Sequence, residues 1–230
     1  KTTCWSSLLG SDDRGLFPHG NDARKSWIWP GTPAINPTGV IAIPMAQMRA
    51  TGGGNSGGFN FEHASSELRT FSWSRGSLKE LGSRPFNFPR VQPPTSVATH
   101  INWTNTLNDG AWVYLFGSSR RAGTMGFDLF IARVRSGDYF ARRGATPSPE
   151  FLAQGGWSRT ARYSDLRRIA DADGDAAFSA VRTSSGLHVL TKQNSILGNT
   201  VIDYHVAGDP TGRWQRTTVA KVPQRAKMFS

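Results

Sequence analysis

The chain has 230 residues, of which 27 are Lys or Arg and 16 are Asp or Glu, for a formal net charge of +11. Its length supports one sizeable core or two small ones, and its single cysteine, Cys4, excludes both an internal disulfide framework and a cysteine-rich zinc site. The charge favours anionic surroundings without naming them, and the arginines are dispersed (Arg120-Arg121, Arg142-Arg143, Arg167-Arg168), which equally suits a soluble basic surface.

Residues 1–25 contain one short strand-like stretch, Cys4 to Leu9, and three acids in loops, Asp12, Asp13 and Asp22. No signal peptide is read, and Lys1 is not an initiator methionine, so the sequence is expected to begin after processing or as an excerpt. Trp27 to Met48 then carries no charge at all. A membrane span would need roughly 20 mostly apolar residues in a helix, but Pro30, Gly31, Pro33, Pro37, Gly39 and Pro44 interrupt this run. The pattern predicts Ala34-Ile35, a turn at Asn36 to Gly39, and a strand from Val40 to Met45, buried on both faces or nearly so.

The Gly-rich Thr51 to Gly58 lacks the Gly-Lys-Ser/Thr ending of a phosphate loop, so it reads as an inter-strand loop, and no acyl-transfer motif is read. Strands follow at Phe59 to Glu67 and Leu68 to Trp73. A second unit runs from His100 to Leu107, through Asn108-Asp109-Gly110, to Ala111–Ser118 and Phe127–Val134. Trp157 to Ile169 is the one stretch with helical character, taken as an insertion. A third unit comprises Phe178–Thr183, the turn Ser184-Ser185-Gly186, Leu187–Lys192 and Thr200–Ala207.

The three units share one order of strand, hairpin, strand, polar loop, strand, and start about 70 residues apart, somewhat longer than the roughly 40 to 50 of compact propeller repeats. They predict an all-β fold, a five-bladed β-propeller with blades incomplete at both chain ends. Residues 1–25 would end a first blade, 26–75, 97–143 and 174–216 would be blades, and 217–230 would start a further one, completed within the chain or by association with another chain. A β-sandwich is the alternative, with shorter and more even strand spacing.

The ordered motifs resemble a known family. They are Trp27-x-Trp29-Pro30-Gly31 before a hairpin, Trp103 before a hairpin ending Tyr114-Leu-Phe-Gly117, Ile131-Ala-Arg-Val134, Phe178-Ser179-x-Val181, and Tyr204 with the turn Gly212 to Trp214. The resemblance is to a propeller family long labelled only as a domain of unknown function, which contains secreted bacterial endo-D-arabinanases. It implies a secreted or extracellular glycoside hydrolase acting on cell-wall arabinan or a related furanoside polysaccharide. It also implies carboxylates around an axial pocket, since hydrolysis normally needs two. An acid is expected just after Trp-Pro-Gly, where this chain has Thr32, and another just before Phe178-Ser179, where it has Ala177. The alternative is a non-catalytic carbohydrate-binding or structural propeller, such as a cell-surface or phage-tail module.

Asp175 is the candidate catalytic carboxylate, at the entry to a first strand. Trp29, Thr32, His100, Asn102 and Trp103 are candidate substrate-binding residues, the indoles as apolar platforms for sugar C–H faces. Asp171, Asp173 and Asp175 place three carboxylates in five residues, which Ca²⁺ would accept. They fail the EF-hand spacing and read better as a solvated turn, so no metal or cofactor is expected. Glu62 and Asp128, at the starts of third strands, are expected to pair on the surface or between blades with Arg133 or Arg135. Nucleic acid is not an expected partner, because no stacking array with interleaved arginines is visible.

Overall fold

A computed structural model describes residues 26–50, 61–91, 101–121, 126–173, 178–194 and 200–222, arranged in three antiparallel sheets. In the first, β1 (Ser26–Pro30) and β2 (Ala34–Ile35) lie on one edge of β3 (Val40–Ala50), followed outward by β4 (Phe61–Ser74) and β5 (Ser77–Pro85). In the second, β6 (Asn102–Asp109) leads to β7 (Trp112–Arg120), β8 (Gly126–Arg135), β9 (Glu150–Ala153) and β10 (Gly156–Ser158), and β11 (Ala170–Asp173) also pairs with β8. The third sheet runs β12 (Phe178–Thr183), β13 (Gly186–Asn194), β14 (Thr200–Ala207), β15 (Gln215–Val222).

The apolar runs are explained by sheets covered on both faces. Along β7 and β8, Val113, Leu115, Phe130, Ala132 and Val134 enter a core shared with Ala42, Leu68 and Phe86 of the first sheet region. Tyr114, Phe116, Leu129 and Ile131 alternate with them and meet Val189 of the third sheet. Each fully buried large side chain removed from water contributes about 1.5–3 kcal/mol, so the two inter-sheet cores hold neighbouring blades together. Gly117 closes the Tyr-Leu-Phe-Gly motif because a Cβ there would meet the Trp103 ring at 2.5 Å. Trp103 can pack flat on β7 only over a glycine.

The uncharged stretch Trp27 to Met48 forms the predicted hairpin, with the Asn36 carboxamide oxygen accepting from Thr38 N–H (3.0 Å) and Val40 N–H (2.8 Å). It also extends further than expected, since β1 pairs with β3 out to Ser26–Arg49. One face packs on the second sheet. The other carries a smaller cluster of Ile43, Met45 and Phe71 with Ile28, Ile41 and Leu78.

Three expectations are corrected. The first unit does not end at Trp73, because Arg75 (φ 51°) and Gly76 (φ 80°) make a two-residue turn into β5. Trp157 to Ile169 is not helical. Its first residues pair with β9, Tyr163–Asp165 form one 3₁₀ turn, and its buried side chains divide between two cores, Ala161 and Leu166 in one and Ile169 in the other. A helix would present them as a single stripe. Residues 217–222, expected to start a further blade, instead belong to β15 and pair with β14 as the outer strand of the third sheet.

Candidate functional site

Strands β2, β6 and β12, one from each sheet, touch in sequence, β6 lying between the other two. Where they meet, the inner edge of the first sheet is interrupted. Pro30 pairs with Met45 and Ala34 with Ala42, which leaves Gly31 to Pro33 as a bulge toward β6. Gly31 is required there, since a Cβ would lie 2.0 Å from the Thr104 carbonyl oxygen. The bulge is sewn to β6 by Thr32 N–H to Thr104 C=O (2.7 Å) and by the Thr106 hydroxyl donating to Thr32 C=O (2.7 Å). Further along, the Asn108 amide donates to Ile35 C=O (2.7 Å).

Thr32, where an acid was expected, is exposed, and its hydroxyl donates to Asn105 Oδ1 at 2.8 Å. Trp29, three residues earlier, is 44% exposed and makes an edge-to-face contact with Trp27 at 6.3 Å. Asn102 begins β6, half-buried, with its Oδ1 buried and without a hydrogen-bond partner. Trp103 is not a sugar platform. It is 3% exposed and packs against Phe88 and Phe151 in the core between the first two sheets. His100 and Asp175 lie outside the described residues, as do Asp12, Asp13, Asp22 and Ala177.

The structure brings Thr32 together with Asn105, Thr104 and Thr106, none of which was singled out from sequence. The signal was present in Asn102-Trp-Thr-Asn-Thr106, a polar run on a strand flanked by apolar ones. Along β6 and β12 the only carboxylate is Asp109, held by Arg182 at 3.0 Å. Tyr139, fully buried beside Thr106 in the core between the first two sheets, has its phenol pKa pushed far up by burial.

Asp128 departs from its expected partners, pairing with Arg121 (3.0 Å) and Arg168 (3.2 Å) rather than Arg133 or Arg135. Arg133 instead binds Glu150 through Nε (2.8 Å) and a terminal nitrogen (2.6 Å). Burial would raise the Glu150 pKa, but the hydrogen bonds and charges of Arg133 and Arg159 outweigh it and hold the carboxyl below its ordinary range. The Glu62 backbone lies opposite Arg49 in the β3–β4 ladder. Asp171 and Asp173 are β11 residues opposite Asp128 and Gly126. Among the described residues no three His, Cys, Asp or Glu side chains converge to hold a metal ion.

Gly54-Asn55-Ser56-Gly57-Gly58 does spell Gly-x-Ser-x-Gly, a string the motif reading passed over. The string lies outside the described residues, between strands β3 and β4. A nucleophile elbow needs a strand-to-helix turn, so the letters alone do not make one.

Three antiparallel sheets joined through β2, β6 and β12 and packed face on face have the arrangement of successive β-propeller blades. The chain belongs to the family described as Domain of unknown function (DUF5005), whose model matches residues 9–230. Among solved structures it is similar to Zg3597, a family 117 glycoside hydrolase of the marine bacterium Zobellia galactanivorans, at 12% identity and a TM-score of 0.54, covering 90% of this chain and 61% of that one. It is also similar to a β-fructofuranosidase variant of Microbacterium saccharophilum (9% identity, TM-score 0.48, 85% of this chain and 43% of that one). A GH43_1 enzyme of Xanthomonas citri matches at 10% identity and a TM-score of 0.34, over 83% of this chain and 74% of that one. The chain thus spans less than two thirds of the length of the first two. No curated protein sequence matches it. Among the described residues no helix is long and apolar enough to cross a membrane.

Proposed function

We propose that this chain is the sugar-recognising body of a glycoside-hydrolase-like propeller that acts outside the cell on bacterial cell-wall arabinan or a related furanoside polysaccharide. The observation that carries the reading is the Thr32–Asn105 pair at the seam of the first two sheets, with the exposed Trp29 indole three residues away. Sugar hydroxyls are recognised by fixed amide and hydroxyl groups, and sugar C–H faces by an exposed aromatic ring. Asn105 keeps its amide nitrogen for a ligand, because its oxygen is the atom engaged by Thr32. Cleavage would draw on Asp175, in the segment leading to β12.

A second reading, a non-catalytic carbohydrate-binding or structural module, is favoured by one specific observation. The sole carboxylate on β6 and β12 is already paired with Arg182, whereas hydrolysis normally takes two acids across the scissile bond. Binding of arabino-oligosaccharides and release of products from arabinan, measured separately on the purified protein, distinguish the readings. Thr32→Val should weaken binding about fivefold, as loss of one ordinary hydrogen bond implies. Products that disappear in Asp175→Asn support hydrolysis, and binding without products supports the second reading. No binding to any furanoside polymer would sink both.

A further inference from the structure

At the end of β6 remote from Asn102, around the β6–β7 turn, arginines and aromatic rings interleave. The guanidinium carbon of Arg135 lies 3.9 Å from the Trp112 ring centroid, and that of Arg133 lies 4.0 Å from the same ring and 4.2 Å from Trp157. Trp157 in turn meets Tyr114 at 6.1 Å, and Arg182 lies 5.9 Å over Tyr114. The members are far apart in sequence but neighbours in register, since Trp112 pairs with Arg135 and Arg133 with Glu150.

The cations of this ladder are not equivalent. Arg133 is taken by Glu150, Arg182 by Asp109, and Arg159 reaches Glu150 with one nitrogen while its side chain stays 68% exposed. Arg135 is exposed and stacked on Trp112, and no carboxylate or other acceptor engages it among the described residues. A stacked guanidinium has lost most of its rotamer freedom before any ligand arrives, yet keeps its planar fork of N–H donors. It is a preorganised anion receptor beside an apolar wall.

We propose that this ladder is a second binding site, separate from the axial Thr32 region, for a glycan bearing carboxylate or sulfate groups, with Arg135 gripping the anion and Arg159 assisting. A nucleic acid fits less well. Base recognition on single strands uses open aromatic faces, whereas the Trp112 ring already carries two guanidinium groups. What remains for a ligand is the N–H edge of Arg135, which suits the oxygen pairs of a uronate or sulfate.

The test titrates the full chain at low salt with an oligogalacturonate, a heparin-derived oligosaccharide, a neutral arabino-oligosaccharide and an oligothymidylate, reading affinity together with tryptophan fluorescence. The expected result is binding of at least one anionic glycan, weakened about tenfold by Arg135→Gln and less so by Arg135→Lys, with an unchanged melting temperature. Arg75→Gln, on the exposed β4–β5 turn, is the control for net charge and should leave affinity within about twofold. The galacturonate and heparin arms separate carboxylate from sulfate. Failure of both anionic glycans to bind, or an equal loss in Arg75→Gln, overturns the proposal. Tighter Arg135-dependent binding of oligothymidylate also overturns it, in favour of nucleic acid. The arabino-oligosaccharide arm reports on the axial reading independently, because Arg135 lies outside that region.

Discussion

Arg84 offers the most direct test of how the blades are locked together. It sits on β5 at 5% exposure and reaches into the segment after β8. There it donates to the Asp138 carboxylate (3.2 Å), to the Asp138 carbonyl, to Tyr139 C=O (3.1 Å) and to Ala145 C=O (3.3 Å). Arg84→Met keeps most of the stem and deletes every donor. Ala145 is exposed, and the Asp138 side chain is 39% exposed and retains Ser148 N–H at 2.8 Å, so water can serve both. The part-buried Asp138 carbonyl keeps Ala141 N–H at 3.3 Å, so the buried Tyr139 carbonyl is left to bear the loss. At about 1–3 kcal/mol for a stranded buried acceptor, the variant should lose about 1–3 kcal/mol. For a chain of this size that is a fall of roughly 3–9 °C in melting temperature. Urea unfolding with an unchanged m-value is the assay, and Arg84→Lys should fall between, because a single ammonium cannot span the same acceptors. A loss below about 1 kcal/mol for Arg84→Met would refute the reasoning, since it would mean that the Tyr139 carbonyl finds another donor.

Gly31→Ala should cost about 1–3 kcal/mol by overpacking, because its Cβ would be driven onto the Thr104 carbonyl and Pro44, and it should also weaken furanoside binding by displacing Thr32. Thermal melts and sugar titration of the same variant check both. The Asp209 pKa is held below its ordinary value by the Thr211 hydroxyl and backbone N–H, against a small opposing effect of burial, with further help from Gly212 N–H and Arg167. A depressed carboxylate stabilises above its unfolded-state pKa and loses that contribution as pH falls through the folded value. Asp209→Asn should therefore destabilise modestly at neutral pH and converge with the parent in acid, as melts across pH 2 to 7 would show.

The uncharged run through Val40 to Met45 made a strand covered on both faces legible in sequence, and Ala42 does enter one cluster while Ile43 and Met45 enter another. The hairpin at Asn36 to Gly39 was legible for a local reason, since Asn-Pro-Thr-Gly carries its own turn chemistry. Trp157 to Ile169 misled because its residues serve two cores and its backbone bonds to β8 and β9, as Ile169 N–H to Leu129 C=O and Arg167 N–H to Leu152 C=O show. Such tertiary demands leave no periodic trace. Trp103 was misplaced for a related reason: an aromatic at a strand start can face solvent or core, and only Gly117 across the strand pair decides it. The arginine ladder was invisible because its members meet through cross-strand register rather than through proximity in the chain.

Position 32 is the point on which the proposed axial site turns. Two of the three hydrogen bonds that hold it use its backbone, Thr32 N–H to Thr104 and Thr32 C=O from Thr106. Its place beside β6 therefore does not depend on its side chain. The third bond does, and it has a direction: the Thr32 hydroxyl supplies a proton to Asn105 Oδ1. A carboxylate at this position would have no proton to give, and Asn105 would have to turn its amide to present N–H groups instead. A carboxylate accepting those hydrogen bonds would be held ionised, the state a base or nucleophile needs rather than a general acid. Thr32 and Asn105 are thus a matched neutral pair, on a backbone that would hold an acid equally well.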